Sequence, residues 1–454
     1  MSEWISIVLN AVPHFPLKYL LWVFALGPIA VVVYRSIRWD QLSESRQRQT
    51  RKLAMGLCVF FSLAHLGLII LNLHKPREWD FEPYWVIGQA VAEGSNPYDH
   101  DNLMRIAAPL EPSEELVAEL HCFYPPISLL MFAPIGYFSF PVALVLWELV
   151  QTAALIGSLW LLVKLFAPDR SPIFPLMIIT VALGFFPTAE TYFYAQTNFL
   201  ILLALLLFYR DREKPIGGLW LALGICVKPV VLAVPLYVLL RGRWRSLAMI
   251  AVGLVGVAIL TASILGPSVF VQFIQRSAIP DAYVAAQFLN QSVSGTLLRL
   301  TGHGETASLQ MQSPLILGAI AFLILTTSVA ILRLRHEADP YAYAATLAMM
   351  LMIYPATLTH YAVALLPAIA LLLARAVTPG KGMPRSTIHV ILLAMLVCAG
   401  KHSFWGMLLI WLTSIVIGMR IAKAGYVSDT VFDSNSLMPG TTGIFTERRP
   451  VVAD

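Results

Sequence analysis

Long apolar runs separated by short charged stretches dominate the chain. Runs approaching the roughly 20 residues that a helix needs to cross the hydrocarbon core of a bilayer fall at 17–34, 53–73, 141–166, 247–265, 314–332, 341–358, 361–374 and 404–421. Shorter apolar runs occur at 125–138, 173–186, 199–209 and 388–399, with a pair inside 217–240. Several of these are too short for a straight span and predict broken crossings. Pro125, Pro126 and Pro134 interrupt the first of them and Pro141 follows it, so it is expected to dip into the membrane and return; the alternative is a full crossing there and a half-span elsewhere. The pattern predicts an all-α polytopic membrane protein, a bundle of about 13 transmembrane helices. A helix and basic loop at 1–52 precede the main transmembrane domain at 53–422, and a polar tail follows at 423–454.

Composition and charge add the sidedness. Apolar residues make up 58% of the 454 and charged residues 13%, against roughly 25% charged in a soluble domain. Disordered chains, collagen, disulfide scaffolds and nucleic-acid-binding modules are thereby excluded. Cys58, Cys122, Cys226 and Cys398 are widely spaced and suggest neither a disulfide framework nor a CxxC site. The first apolar run has no basic n-region and no small-residue cleavage site, and is expected to be retained. Residues 35–52 carry six bases against two acids, which predicts a cytoplasmic loop. The next loop, 74–124, has ten acids against three bases and is expected outside with the N-terminus. The basic clusters at 210–214, 241–245, 333–335, 375–385 and 420–423 then fall in the cytoplasm with the C-terminus. The same solution places 74–124, the segment after Ala195, the loop 266–313 and Thr359-His360-Tyr361 together at the external face of the plasma membrane.

A few polar residues break the apolar pattern. Asp80 follows a span directly, among Trp79, Phe81, Tyr84 and Trp85. Partial desolvation there suits a carboxylate to act as a base; a helix cap is the alternative. Asn96-Pro-Tyr98 and Tyr124-Pro-Pro126 read locally as turns. Lys228 lies at the tip of the 217–240 hairpin, where it either meets an anion such as a lipid phosphate or snorkels to the surface. Asn290-Gln-Ser292 is formally a glycosylation sequon, flanked by Arg276 and Arg299, which can hold phosphate or remain solvated. His360 at a membrane boundary can donate to phosphate, pass a proton or be inert. Glu148 and Gln151 either join helices or mark a proton path. His100, Asp101, His121 and Cys122 fit no standard metal spacing, and no metal is expected.

In order along the chain, WDFEPYW at 79–85, EGSNPYD at 93–99, FYPPISLLMFAPIG at 123–136, AQTNFLILLALL at 195–206, GGLWLALGICVKP at 217–229, NQSVSGTLLR at 290–299 and THYAVALLPA at 359–368 resemble glycosyltransferase family 87. The resemblance runs over about 55–375. It implies the GT-C fold and an integral-membrane enzyme that uses a polyprenyl-phosphate sugar, typically mannose, with a glycolipid or glycan acceptor. It implies Asp80 as general base with His360 as its catalytic companion, and Lys228, Arg299 and Tyr361 at the donor phosphate. Tyr84, Asn96, Tyr98, Tyr124, Gln196, Asn198, Asn290, Gln291 and Ser292 are the implied substrate contacts. Ala195 stands where the family usually has glycine, and Tyr354 and Leu358 depart from its pattern before His360. No cofactor is implied, since the lipid-linked sugar is a co-substrate. One carboxylate suffices for such a transfer: the acceptor hydroxyl needs a base, but the departing phosphate is already a stable anion, unlike the leaving group of a glycosidase. The alternative is a transporter or lipid flippase using Glu148 and Lys228, which would be expected to show paired halves.

Overall fold

The computed structural model describes residues 17–74, 81–112, 120, 122–167, 172–276, 290–301, 314–378, 385–398 and 402–424. Asp80, His121, residues 277–289 and 302–313 of the 266–313 loop and nearly all of the 423–454 tail lie outside the described residues. Every regular element among the described residues is helical. In chain order the helices are α1 (Leu17–Ile37), α2 (Glu44–His74), α3 (Phe81–Ala92), α4 (His100–Ala107), α5 (Pro126–Gly136), α6 (Phe140–Phe166), α7 (Phe174–Gly184), α8 (Phe186–Phe193), α9 (Asn198–Arg210) and α10 (Ile216–Val227). They continue as α11 (Val234–Leu240), α12 (Trp244–Leu265), α13 (Ser268–Arg276), α14 (Val293–Leu300), α15 (Pro314–Arg333), α16 (Asp339–Ile353), α17 (Leu366–Val377), α18 (Arg385–Cys398) and α19 (Ser403–Ala424).

Six helices are long and apolar enough to cross a membrane, or seven if α7 and α8, bent by 50° at their junction, make one span. Apart from the 21-residue α1, the other apolar segments form helices of 10–17 residues, or roughly 15–26 Å at 1.5 Å per residue, short of a hydrocarbon core of about 30 Å. Long helices such as α12 and α15 present Val252, Ile259, Phe322 and Leu325 outward, as a lipid-facing surface must. The short α9 is buried instead, with Ile201, Leu202, Leu205 and Phe208 in the core. Together these features make the chain an all-α, multi-pass membrane protein.

The short helices end where the sequence forbids a longer one. Pro229 disfavours the helical conformation at the residue before it, and Lys228 is accordingly extended at φ −159°, ψ 130° between α10 and a 3₁₀ turn at Pro229–Ala233. Pro187 follows the α7–α8 bend, where the Thr188 hydroxyl donates to the Ala182 carbonyl at 2.7 Å and satisfies a group the bend releases. Thr357 does the same for the Leu351 carbonyl at the end of α16, at 2.6 Å.

The α10–α11 hairpin turns back on itself. Arg212, just before α10, and Arg241 and Arg243, just after α11, all converge on the buried Asp339 at the start of α16. The closest pair is Arg241 Nε to Asp339 Oδ1 at 2.6 Å, and Tyr237 donates its hydroxyl to Asp339 at 2.8 Å. Both ends of the hairpin therefore sit at one end of the bundle, and Lys228 points away from it. One 12-residue arm reaches only about 18 Å, less than the thickness of a hydrocarbon core.

At the opposite end, α3, α4 and α5 form a small apolar layer against the start of α6. The α5 segment is a single short helix packed along α3: Tyr124 before it donates to Tyr84, and the Phe138 carbonyl after it accepts from Trp85 Nε1 at 3.0 Å. Its crossing with α3 brings two backbones together at Gly88 and Gly136. A Cβ on Gly88 would meet the Phe132 carbonyl, and one on Gly136 the backbone of Gly88 and Gln89. Neither obstacle is a side chain that can swing aside.

Two predictions follow from this architecture. Gly88→Val should destabilise the protein by about 1–3 kcal/mol or more through overpacking, seen as a lower unfolding midpoint in detergent; an unchanged midpoint would mean that α3 and α5 are not in backbone contact. The second concerns acid. Burial alone would raise the Asp211 carboxyl, but hydrogen bonds from Arg210 and Trp220 outweigh it and hold the group below its usual range. That stabilisation is complete above the unfolded carboxylate value near about pH 4 and is lost as pH falls through the lowered folded value. In an acid titration of stability, Asp211→Asn should be less stable than wild type at neutral pH, with the two curves converging at low pH.

Candidate active site

The segment joining α8 to α9 is the centre of the site. Helix α8 ends in a Schellman motif, with Ala195 N–H bonded to the Tyr192 carbonyl and Gln196 N–H to the Thr191 carbonyl, each at 2.9 Å. The motif requires a left-handed residue, and Ala195 supplies it at φ 45°. This is the position where glycine is usual in the resembled family, so the alanine keeps the glycine conformation at a steric cost. Trp147 on α6 donates to the Ala195 carbonyl at 2.7 Å and fixes the turn.

The turn aims Gln196 inward, where its Oε1 accepts from Tyr84 Oη on α3 at 2.9 Å and from Lys228 Nζ at 3.3 Å. The Lys228 ammonium also lies 3.8 Å from the centre of the Tyr361 ring, a cation–π contact. It is only 5% exposed. His360 adjoins both Tyr361, at 4.9 Å between ring centres, and Tyr194 at 5.6 Å. Its Nε2 is buried without a hydrogen-bond partner among the described residues. Tyr124 donates to Tyr84 Oη at 3.2 Å, and Tyr84 stacks on Phe132. Asn198 donates to the Thr191 hydroxyl at 3.4 Å, which in turn reaches the His360 carbonyl at 3.5 Å.

The structure thus brings Tyr84, Tyr124, Gln196, Asn198, Lys228, His360 and Tyr361 into one buried group. It places the remaining expected residues around that group. Asn96 closes a local turn by accepting from Tyr98 N–H at 3.0 Å, and Tyr98 holds the Tyr124 carbonyl at 2.7 Å. Asn290, Gln291 and Ser292 are fully buried and latch onto the segment before His360. Asn290 Nδ2 donates to the Pro355 carbonyl at 2.8 Å, Ser292 Oγ to the same carbonyl at 3.2 Å, and Gln291 N–H to the Thr357 carbonyl at 2.6 Å. Arg299 Nη1 donates to the Asn290 carbonyl at 2.7 Å and braces the latch. The sequon is therefore an interior fastening. Sequence reasoning missed Trp147 and Tyr194, which sit in apolar stretches and reveal their roles only through the turn they pack against.

Glu148 and Gln151 lie on α6, which also carries Trp147. Asn72 Nδ2 on α2 donates to Glu148 Oε1 at 3.0 Å and to the Tyr192 carbonyl at 2.6 Å, tying α2, α6 and α8 together. Glu148 thus takes the helix-joining role, while the Gln151 amide is buried without a hydrogen-bond partner among the described residues. Chemically, the site offers a buried cation, a histidine and aromatic hydroxyls in a low-dielectric setting, where charge–charge interactions are stronger than in water. Such a group suits the stabilisation of an anion. Among the described residues no three His, Cys, Asp or Glu side chains gather as a metal site would need.

The strain at Ala195 gives a direct test. Ala195→Gly should stabilise the protein by about 1 kcal/mol, read as a higher unfolding midpoint; a lower one would mean that the methyl group's packing outweighs the backbone cost.

Comparison with known proteins supplies the family. The model of glycosyltransferase family 87 matches 123–359. An alpha-(1->3)-arabinofuranosyltransferase of Corynebacterium glutamicum is 27% identical over 232 residues, 50% of this chain and 53% of the relative. One of the same name from Mycobacterium tuberculosis H37Rv is 27% identical over 181 residues, 38% of this chain and 41% of the relative. The matches thus span about half or less of the length of these curated relatives. No solved structure matches. The family model covers more than half of the chain, including Tyr124, the Ala195 turn, Lys228 and the Asn290 latch, and the chain belongs to glycosyltransferase family 87.

Proposed function

We propose that the protein is an inverting glycosyltransferase that takes a sugar from a polyprenyl-phosphate donor and passes it to a glycolipid or glycan acceptor at the external face of the plasma membrane. The observation that carries this reading is the buried Lys228 ammonium against Gln196 and Tyr361, beside His360; in this reading it sits at membrane depth. A lipid-linked phosphate reaches that depth, whereas a soluble nucleotide-sugar does not. The arginine-rich end of the bundle supports a cytoplasmic placement by the positive-inside rule, which leaves the Lys228 end facing out.

In this reading the acceptor oxygen attacks the anomeric carbon while the bond from that carbon to the phosphate oxygen breaks. The acceptor's proton passes to Asp80, which directly precedes α3 in the sequence. Lys228 and a hydrogen bond from His360 offset the charge of the departing polyprenyl phosphate. The resemblance to the family as a whole favours mannose as the sugar; the names of the relatives favour arabinofuranose, and this second reading rests on them.

The test is transfer by the protein in nanodiscs, with polyprenyl-phosphate mannose and polyprenyl-phosphate arabinofuranose offered separately. Asp80→Asn should lower turnover by about 10²–10⁴-fold and Lys228→Gln by about 10²–10³-fold. Wild-type turnover in Asp80→Asn would remove it as the base. Lipid translocation without sugar transfer, lost in Glu148→Gln and kept in Asp80→Asn, would favour the transporter reading instead.

A further inference from the structure

At the end of the bundle opposite Lys228, three inter-helix connections surround a cleft of about 500 Å³. Its walls carry four guanidinium groups, from Arg212, Arg241, Arg243 and Arg335, against two carboxylates, Glu213 and Asp339. The acids do not neutralise it. Asp339 is shared among Arg212, Arg241 and Arg243, and Glu213 between Arg212 and Arg243. Arg335 has no ion-pair partner among the described residues; its Nε donates to the Leu332 carbonyl at 3.1 Å, within its own connection.

The walls are also prearranged. The Arg212 guanidinium lies over the Tyr209 ring at 4.3 Å and that of Arg243 over the Tyr237 ring at 5.1 Å, which fixes their positions. Arg241 donates to the Leu334 carbonyl and so binds the connection carrying Arg335 to the rest. His336, which lines the cleft next to Arg335, is held at φ 52°, a left-handed conformation that costs a non-glycine residue energy and is characteristic of functional sites. Trp244 follows Arg243 and is 64% exposed. An outward tryptophan at a helix end marks the headgroup level of a bilayer.

We propose that this cleft binds a phosphate-bearing anion, held by the guanidinium groups of Arg243 and Arg335 at the face opposite the Lys228 site. Bidentate recognition of phosphate by fixed guanidinium groups matches the geometry of arginine. The same chemistry can come from the headgroup of an anionic lipid or from phosphate in solution. The depth marked by Trp244 favours the lipid, since basic pockets between membrane helices take such headgroups.

Titration of the whole protein in neutral detergent distinguishes the two sources. The unfolding midpoint would be followed against phosphatidylglycerol, against phosphatidylcholine at the same mole fraction, and against inorganic phosphate with chloride at matched ionic strength. Phosphatidylglycerol should raise the midpoint where phosphatidylcholine does not. Arg335→Gln, a change at an exposed residue outside the ion-pair cluster, should weaken that effect about fivefold while unfolding as wild type in phosphatidylcholine. Lipid retained by the wild-type protein, counted by native mass spectrometry, gives a readout independent of any variant. A response to inorganic phosphate alone would support the site with a soluble ligand. Equal retention of the two lipids with no phosphate response, or an undiminished phosphatidylglycerol effect in Arg335→Gln, would overturn the proposal.

Discussion

A cation buried within a membrane protein constrains everything around it. Removing an ammonium group from water costs several kcal/mol unless other groups replace the lost solvation. Lys228 obtains part of that replacement from Gln196 Oε1 and the face of Tyr361. Neither group is on its own helix. Each comes from a break in another membrane segment, Gln196 from the α8–α9 turn and Tyr361 from the 3₁₀ stretch Thr359–Leu365. Holding one charge at depth therefore requires several interrupted helices to converge. Each interruption must also satisfy the backbone groups it frees, since no water is present in the hydrocarbon region. The hydroxyls of Thr188 and Thr357 and the Schellman bonds at Ala195 answer that requirement. Irregular backbone is concentrated at the site because the site is what it serves.

The opposite end of the bundle sets the depth. Asp339 collects Arg212, Arg241 and Arg243 and pins both feet of the α10–α11 hairpin to one level. From there the length of a half-helix determines how far Lys228 rises. The same argument applies to α9, whose 13 residues run from Arg210 at the arginine-rich end to Asn198 beside the site. Two short helices of similar length thus bring Lys228 and Asn198 to similar heights. A full-length span in either place would have carried them to the membrane surface.

Much of this was legible in the sequence where charge and proline carry the information. The hairpin with Lys228 at its tip follows from basic residues at both feet and Pro229 after the lysine, and the shortness of α5 follows from Pro125 and Pro126 at its start and Pro134 near its end. The helical class follows from run length and composition. What was not legible depends on tertiary pairing. Asn72 lies in an apolar run and reads as part of a span, yet it is the partner of Glu148. Asp339 falls outside the apolar run beginning at 341, so its place as the hub of three arginines could not be seen. Asn290, Gln291 and Ser292 show how a motif can be recognised without its role: the Asn290 and Ser292 side chains bond the Pro355 carbonyl, the Gln291 N–H the Thr357 carbonyl, and the Gln291 side chain accepts from Phe404 N–H. Ala195 is the converse, since a residue with no chemistry of its own holds the conformation on which the direction of Gln196 depends.

The surroundings of the Ala195 turn bear on the meaning of the membrane-embedded Glu148. An acidic group that couples ion movement must exchange its partners during a cycle. Glu148 is instead joined through Asn72 to the Tyr192 carbonyl, three residues before Ala195. The neighbouring residue on the same helix, Trp147, holds the Ala195 carbonyl itself. Two successive residues of α6 therefore act on two points of one turn, and Thr191 links the turn to His360. A rigid frame of this kind favours a fixed geometry around Lys228 over an alternating one, and a fixed geometry is what preorganised stabilisation of a leaving phosphate requires.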